Sequence, residues 1–303
     1  MKRLILIIIS CFVIQFSAAQ YDGYSSNSWE NQLEIEDLFL KHIDKTSFKK
    51  HLQKLTERPH VVGSKTNEEV IRYIGEVMNE AGLDVINYPY DVYLPKHPGS
   101  SLIEIVTPSR QVLNQKEDII SDDPFTKDSL LWKGWNAFSG SGDVTAEIVY
   151  ANYGRKEDFE TLKELGVDIK GKIVIARYGG NFRGYKAKFA EANGAAGLII
   201  YTDPKDSGFT KGLVYPEGPY YNESTIQRGS LLTTDFTGDP LTPFEPALPL
   251  DGKKKIKRLD PNEAQLHTIP VTPIGYGEAE KILGQMKGVV VPQSWQGGLP
   301  FTY

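Results

Sequence analysis

The sequence predicts an α/β fold, and three observations support this prediction. Residues 172–176 and 198–201 are short, mainly apolar runs rich in branched side chains, a pattern typical of buried strands. Residues 185–193, between them, have helical spacing and are followed by Gly194. A strand, a helix and a strand in this order form a parallel pair with a right-handed crossover. The composition, 40% hydrophobic and 24% charged, is that of a globular chain.

The first part of the chain is predicted to be mainly helical. Three helices and one strand are expected there, at 33–42, 47–55, 66–81 and 84–94. Thr66 and Glu69 have the spacing of a capping box, in which each side chain satisfies a free backbone amide of the other residue. Gly82 ends this helix because glycine readily adopts positive φ.

The composition of the sequence changes at about Pro95, where Gly and Pro become frequent and apolar runs become short. The remaining elements predicted after this point are strands at 102–106 and 147–150, a helix at 159–165 and a final helix at 279–286. This change predicts a domain boundary between residues 94 and 95, within the range of one or two domains that 303 residues allow.

Residues 1–20 have the pattern of a signal peptide. Lys2 and Arg3 precede the apolar run 4–16, and small residues follow at 17–19. The run is shorter than the roughly 20 residues of a membrane-spanning helix, so no stable membrane span is expected. We therefore predict a secreted or periplasmic protein. An uncleaved anchor, or a lipoprotein attached at Cys11, remains an alternative.

Composition and missing motifs exclude several classes of function. The net charge of −5 argues against a general binder of nucleic acid. A single cysteine, Cys11, excludes a disulfide scaffold and a cysteine-based zinc site. The five histidines are scattered, and neither H-E-x-x-H nor G-x-S-x-G occurs. Sequence motifs thus assign no catalytic residue and no metal ligand.

Arg183 is the candidate binding residue that the pattern does suggest. It lies between a predicted buried strand and the helix after it, where α/β units present ligands at the carboxyl ends of strands. Its planar guanidinium fork matches a carboxylate. Two alternatives remain open, a surface arginine that caps a loop and a dinucleotide site. The dinucleotide site would use Gly179, Gly180 and Gly184, whose spacing does not fit G-x-G-x-x-G.

Seven co-linear segments give the chain a wider resemblance. They are RPHVVGS at 58–64, GKIVIARYG at 171–179, FRG at 182–184, YTDP at 201–204, QRG at 227–229, GDPLTP at 238–243 and IPVTPIGY at 269–276. Together they resemble the glutamate carboxypeptidase II family, also called N-acetylated alpha-linked acidic dipeptidase. The resemblance runs from about residue 33 to residue 303.

The resemblance implies a metallopeptidase architecture. Family members are homodimeric exopeptidases that use two zinc ions to remove C-terminal acidic residues from peptides. An α+β protease-associated (apical) domain is inserted early in their peptidase domain. By this resemblance, residues 33–94 are the first segment of the peptidase domain. Residues 95–303 are then the protease-associated domain, incomplete at its C-terminus.

The resemblance also implies roles for four residues. Arg183 matches the arginine that holds the substrate's C-terminal carboxylate, and Ser230 stands where animal enzymes have an asparagine that assists it. Thr242 and Glu245 match backbone positions that share a structural calcium ion. The family's zinc ligands lie further along its sequence than these segments. We therefore expect an N-terminal fragment that recognises peptide but binds no zinc and is inactive alone. The alternative is a standalone protease-associated domain that binds peptides or partner proteins without catalysis.

Overall fold

The computed structural model describes residues 23–303, so the predicted signal peptide at 1–20 lies outside the described residues. The chain divides into two compact units, residues 1–57 and 58–303. The described part of the first unit consists of two helices, α1 (Ser26–Lys41) and α2 (Lys45–Thr56). Side chains of Ser25 and Asp44 cap them by accepting hydrogen bonds from backbone amides. Both predicted helices are confirmed.

The second unit begins with helix α3 (Lys65–Glu80). Its N-cap is Ser64, whose hydroxyl accepts a hydrogen bond from the amide of Asn67 at 3.2 Å. The predicted capping box of Thr66 and Glu69 is therefore wrong. Ser64 already satisfies the free amide, and Thr66 is buried in the first turn.

The strand predicted at 84–94 is also wrong, because this segment contains no strand. Its backbone is held by isolated contacts instead. The amide of Asp91 donates to the carbonyl of Ala247 at 2.9 Å, and the amide of Tyr93 donates to Asp239 Oδ1 at 2.7 Å. An apolar pattern alone does not supply the neighbouring strand that a ladder needs. The domain boundary at 94/95 stays a prediction.

The other elements follow in chain order. Up to the first long strand they are β1 (Glu104–Ile105), β2 (Gln111–Val112), β3 (Asn136–Ala137), β4 (Ile148–Tyr150), α4 (Lys156–Glu164) and β5 (Ile173–Arg177). After it come α5 (Arg183–Ala192), β6 (Gly197–Tyr201), α6 (Pro204–Ser207), β7 (Gly229–Ser230), β8 (Gly238–Asp239), β9 (Thr242–Pro243), β10 (Val271–Ile274) and α7 (Tyr276–Leu283).

The core of the second unit is a four-stranded parallel sheet in the order β10–β6–β5–β4. Val174, Ile175, Ala176, Ile200 and Tyr201 have no exposed surface. A parallel sheet is covered on both faces, which explains why its strands read as continuous apolar runs rather than alternating ones. The predicted α/β fold and the strand–helix–strand unit β5–α5–β6 are confirmed.

Three two-stranded sheets flank this core, and one of them shapes the candidate site. β3 pairs with β7 in parallel, placing Asn136 opposite Gly229 and Ala137 opposite Ser230. This pairing fixes the backbone at 229–230, which Arg183 contacts. Among the residues that the structure describes, no helix is long and apolar enough to cross a membrane.

Candidate functional site

The candidate site lies at the carboxyl ends of β5 and β6. The loop after β5 leads directly into α5, whose first residue is Arg183. Gly179 and Gly180 form this loop with φ of 91° and 75°, in the left-handed region that side chains other than glycine rarely adopt. A Cβ on Gly180 would also lie 2.8 Å from Arg155 Nε. The two glycines are therefore required for the turn that places Arg183.

The guanidinium of Arg183 is held on one side and has a free donor. Nη1 donates to the carbonyl of Ser230 at 3.3 Å. Cζ lies 5.8 Å from the ring centroid of Tyr178 and 5.4 Å from that of Phe182, so two aromatic rings support the cation. Nε is buried and has no hydrogen-bond partner. Buried donors are normally paired, and among the described residues the Nε atoms of Arg183 and of Arg177 are exceptions.

A cavity of about 340 Å³ opens beside Arg183. Its lining is Tyr178, Gly179, Asn181, Phe182, Arg183, Asp203, Asp206, Ser207 and Gln227. Arg183 is the one cation in this lining, and the volume lies within the range of small-molecule sites. Arg183 and the polar groups facing the same space can bind an anionic or polar group of a ligand.

The carboxylate of Asp203 in this lining is fully used within the fold. It is 1% exposed. Oδ2 accepts from the hydroxyls of Tyr201 at 3.0 Å and Tyr303 at 2.9 Å, and Oδ1 accepts from the amides of Lys205 at 2.9 Å and Gly298 at 2.8 Å. Burial and the nearby Asp203 charge raise the pKa of both tyrosines. Asp203 therefore fixes the segment 298–303 to the end of β6.

The second carboxylate of the lining, Asp206, is also engaged. Its Oδ1 accepts from the hydroxyl of Tyr153 at 2.7 Å, and its Oδ2 lies 3.5 Å from Nη1 of Arg177. Arg177 is completely buried, donates to Asn152 Oδ1 at 2.6 Å and lies with Cζ 4.0 Å from the Tyr153 ring centroid. This internal pairing leaves Arg183 as the cation available to a ligand.

Lys186, on the inner face of α5, is a second buried cation. Its ammonium donates to the carbonyls of Tyr153 and Gly179, the latter at 2.7 Å, and to Asn181 Oδ1 at 2.7 Å. Burial lowers the pKa of Lys186 to about 7. Sequence reasoning missed Arg177 and Lys186. The one available signal was a charged residue at a core-facing position of a buried strand or helix.

Ser230 lies beside Arg183 as the sequence predicts, but its hydroxyl does not make the contact. The Ser230 carbonyl accepts from Arg183, whereas Oγ accepts from the amide of Leu232 at 3.0 Å. A Cβ on Gly229 would lie 2.3 Å from Arg183 Nη1, so the absence of a side chain there makes room for the guanidinium. The substrate-binding role of Ser230 stays a prediction.

Thr242 and Glu245, the predicted calcium positions, lie close together in the turn around β9. A Cβ on Gly238 would lie 2.5 Å from the Thr242 carbonyl oxygen and 2.8 Å from that of Glu245. Each carbonyl already accepts a hydrogen bond, from the Glu245 amide and the Thr242 hydroxyl respectively. Calcium takes six to eight oxygen ligands, and two carbonyls alone do not provide them. The calcium site stays a prediction.

No group of three or more His, Cys, Asp or Glu side chains is arranged to hold a metal ion within residues 23–303. A catalytic zinc site in proteins commonly uses three such ligands. The described residues therefore do not fit the zinc ions that the resemblance implies.

Comparison with known proteins gives a family match and several long alignments. The PA domain family matches residues 144–234, which contain Arg183 and Ser230. "Glutamate carboxypeptidase 2 homolog" of Caenorhabditis briggsae is 35% identical over 93% of this chain and 37% of its own length. "Aminopeptidase NAALADL1" of Rattus norvegicus is 32% identical over 98% of this chain and 40% of its own. "Probable glutamate carboxypeptidase" of Arthroderma benhamiae is 38% identical over 68% of this chain and 29% of its own.

The chain thus spans less than half the length of these relatives. Among solved structures, an aminopeptidase from Aneurinibacillus sp. strain AM-1 aligns with 82% of this chain and 43% of its own, at 18% identity and a TM-score of 0.35. A likeness of that degree supports no conclusion about the site.

Proposed function

Because the chain carries a PA domain and is related over nearly its whole length to proteins named glutamate carboxypeptidase 2 homolog, we propose that it is the carboxylate-recognising part of a peptidase of that kind. The observation that carries this proposal is Arg183. Its guanidinium has a buried, unpartnered Nε, and it borders a cavity whose two carboxylates are already paired.

The ligand is a peptide with a free C-terminal carboxylate. Its oxygens accept from the Arg183 fork, while the rings of Tyr178 and Phe182 keep that fork in place. The N-terminus of α5 adds to the attraction, because the N-cap Phe182 supplies no side-chain acceptor and the helix dipole favours an anion there. A charge-assisted hydrogen bond of this kind contributes about 1.5–3 kcal/mol.

Hydrolysis belongs to the proposed whole protein rather than to the described residues. Two zinc ions would supply its chemistry, and the described part of the chain holds no group of side chains that fits them. We therefore expect this chain alone not to hydrolyse peptides. Secretion or periplasmic location, dimerisation and a preference for C-terminal acidic residues are further parts of the proposal.

The direct test is binding by calorimetry. The chain is titrated with the dipeptide Asp-Glu and with its C-terminal amide, and Arg183→Met and Arg183→Lys are compared. We expect at least about tenfold weaker binding of the dipeptide by Arg183→Met, because one charge-assisted hydrogen bond is lost, and an intermediate effect of Arg183→Lys. Arg110→Met, which removes an exposed arginine paired with Glu104, is the matched control and should bind as wild type. Equal binding by Arg183→Met and wild type would overturn the proposal.

A second candidate function is a protease-associated module that binds peptides or proteins without catalysis. The match of the PA domain to 144–234, which includes the whole Arg183 loop, favours it. The two candidate functions differ in the part of the peptide that the site recognises. A module that holds a peptide along its length binds the amidated dipeptide as well as the free acid, whereas a carboxylate anchor does not.

A further inference from the structure

We propose that Lys186 is a positioning residue, which holds the loop before α5 and thereby places the guanidinium of Arg183. This inference rests on the proposed function, because it concerns the same site. Lys186 lies inside the fold, lines none of the cavity wall and would not touch the ligand.

The contacts of Lys186 match the chemistry of an ammonium group. Nζ carries three N–H donors and has three acceptors around it. Two of the acceptors, the Gly179 carbonyl and Asn181 Oδ1, belong to the loop, each at 2.7 Å. The third is the carbonyl of Tyr153 in the turn before α4. The side chain therefore ties the loop to a neighbouring part of the core.

The loop depends on such a tie because it contains two consecutive glycines. Gly179 and Gly180 have no side chains that could pack, and Asn181 comes only two residues before Arg183. Two other side-chain bonds hold this turn. Arg155, a largely exposed arginine, donates from Nε to the Gly180 carbonyl at 3.2 Å, and Asn181 Nδ2 donates to the Gly154 carbonyl at 3.4 Å. Lys186 is the buried residue that holds the loop. Without its side chain the loop could move and displace the guanidinium of Arg183.

Four charged groups on neighbouring elements act on the charge of Lys186. Asp158 of α4 and Asp206 of α6 favour its charged form, while Arg155 before α4 and Arg177 of β5 oppose it. The ring of Tyr153 lies 5.8 Å from Nζ. Burial is the largest influence and lowers the pKa to about 7. Below that pH the ammonium fills all three acceptors, and above it the neutral amine has two donors for three acceptors.

The test combines a substitution with a pH series on the whole chain. Lys186→Met keeps most of the volume and removes the donors, and Lys188→Met is the matched control. Lys188 is on the same helix, but its ammonium is exposed and pairs with Asp235 at the surface. Binding of Asp-Glu is measured by calorimetry between about pH 6 and about pH 8.5, which brackets the transition of Lys186.

We expect wild type and Lys188→Met to lose affinity several-fold as the pH rises through about 7. Lys186→Met should bind about tenfold more weakly at low pH, with affinity that no longer depends on this transition. Amide NMR of wild type gives an independent readout that needs no variant. The signals of Gly179, Gly180 and Asn181 should titrate with the same midpoint as the affinity.

Two results would overturn the role of Lys186. One is equal affinity and an equal pH profile in wild type and Lys186→Met. The other, which decides the matter if that variant does not fold, is the absence of any titration of the loop amides while affinity changes with pH. Failure of wild type to bind Asp-Glu at any pH would instead refute the proposed function, so the two failures are distinguishable.

Discussion

Asp203 allows the sharpest prediction about stability, because one buried carboxylate accepts four hydrogen bonds. Asp203→Ala leaves the hydroxyls of Tyr201 and Tyr303 and the amides of Lys205 and Gly298 without this acceptor. A buried donor left unpaired costs about 1–3 kcal/mol. The two hydroxyls can rotate towards other partners, so we expect a total loss of about 3–5 kcal/mol rather than the full sum.

The matched variant is Asp203→Asn. Its amide oxygen can still accept from the two backbone amides, and its NH₂ group can donate to the tyrosine hydroxyls, which act as acceptors after rotation. We expect it to cost about 1 kcal/mol. Urea unfolding followed by tryptophan fluorescence measures both variants, with unchanged slope and a shifted midpoint. Asp203→Ala within about 1 kcal/mol of Asp203→Asn would refute the reasoning, since the acceptor would then contribute little.

Three further predictions concern the site and its surroundings. Gly229→Ala places a Cβ 2.3 Å from Arg183 Nη1, so it should weaken calorimetric binding of Asp-Glu about fivefold or more. Wild-type affinity of this variant would show that the guanidinium is not held there. Ser230→Ala should bind within about twofold of wild type, because the carbonyl and not the hydroxyl contacts Arg183; a tenfold loss would assign the hydroxyl a direct role. Burial raises the pKa of Tyr201 and Tyr303 in the folded protein above the unfolded value near 10. The stability that the two neutral hydroxyls contribute is therefore complete below about pH 10 and is lost as the pH rises through their folded pKa. The melting temperature should therefore fall above about pH 10. The result would be contradicted if all sixteen tyrosines showed tyrosinate absorbance while the protein was still folded.

The central sheet could be predicted because its strands are buried on both faces, which leaves a continuous apolar run that the sequence displays directly. The segment 84–94 has a similar apolar content, but a strand also needs a partner at hydrogen-bonding distance. The one backbone bond that Asp91 makes to Ala247 comes from a turn-rich region far along the chain. The N-cap of α3 also could not be predicted, because it too depends on packing that the sequence does not display. Ser64 and Thr66 are both good capping residues, and tertiary packing decides that Thr66 is buried.

The sequence singles out Arg183 as a candidate binding residue, but it does not reveal the residues that support Arg183. Arg183 stands out because it follows a buried strand and a glycine-rich turn. Lys186 and Lys188 are indistinguishable in the sequence, two residues apart on one helix. Only the fold shows that the first is buried and that the second is partly exposed and paired with Asp235. Arg177 is missed for the same reason, because a charged residue at the end of a strand is usually at the surface.

The central claim is that Arg183 binds the C-terminal carboxylate of a peptide, and its side-chain Nε–H reports this directly. The measurement is the ¹⁵N NMR signal of Arg183 Nε during titration with Asp-Glu and, separately, with the C-terminal amide of the same dipeptide. Nε is buried without a partner in the structure, so a carboxylate that binds there should shift its signal strongly and saturably. We predict that shift with the free acid and none with the amide. An unchanged Arg183 signal at saturating Asp-Glu, or equal shifts with both ligands, would contradict the account.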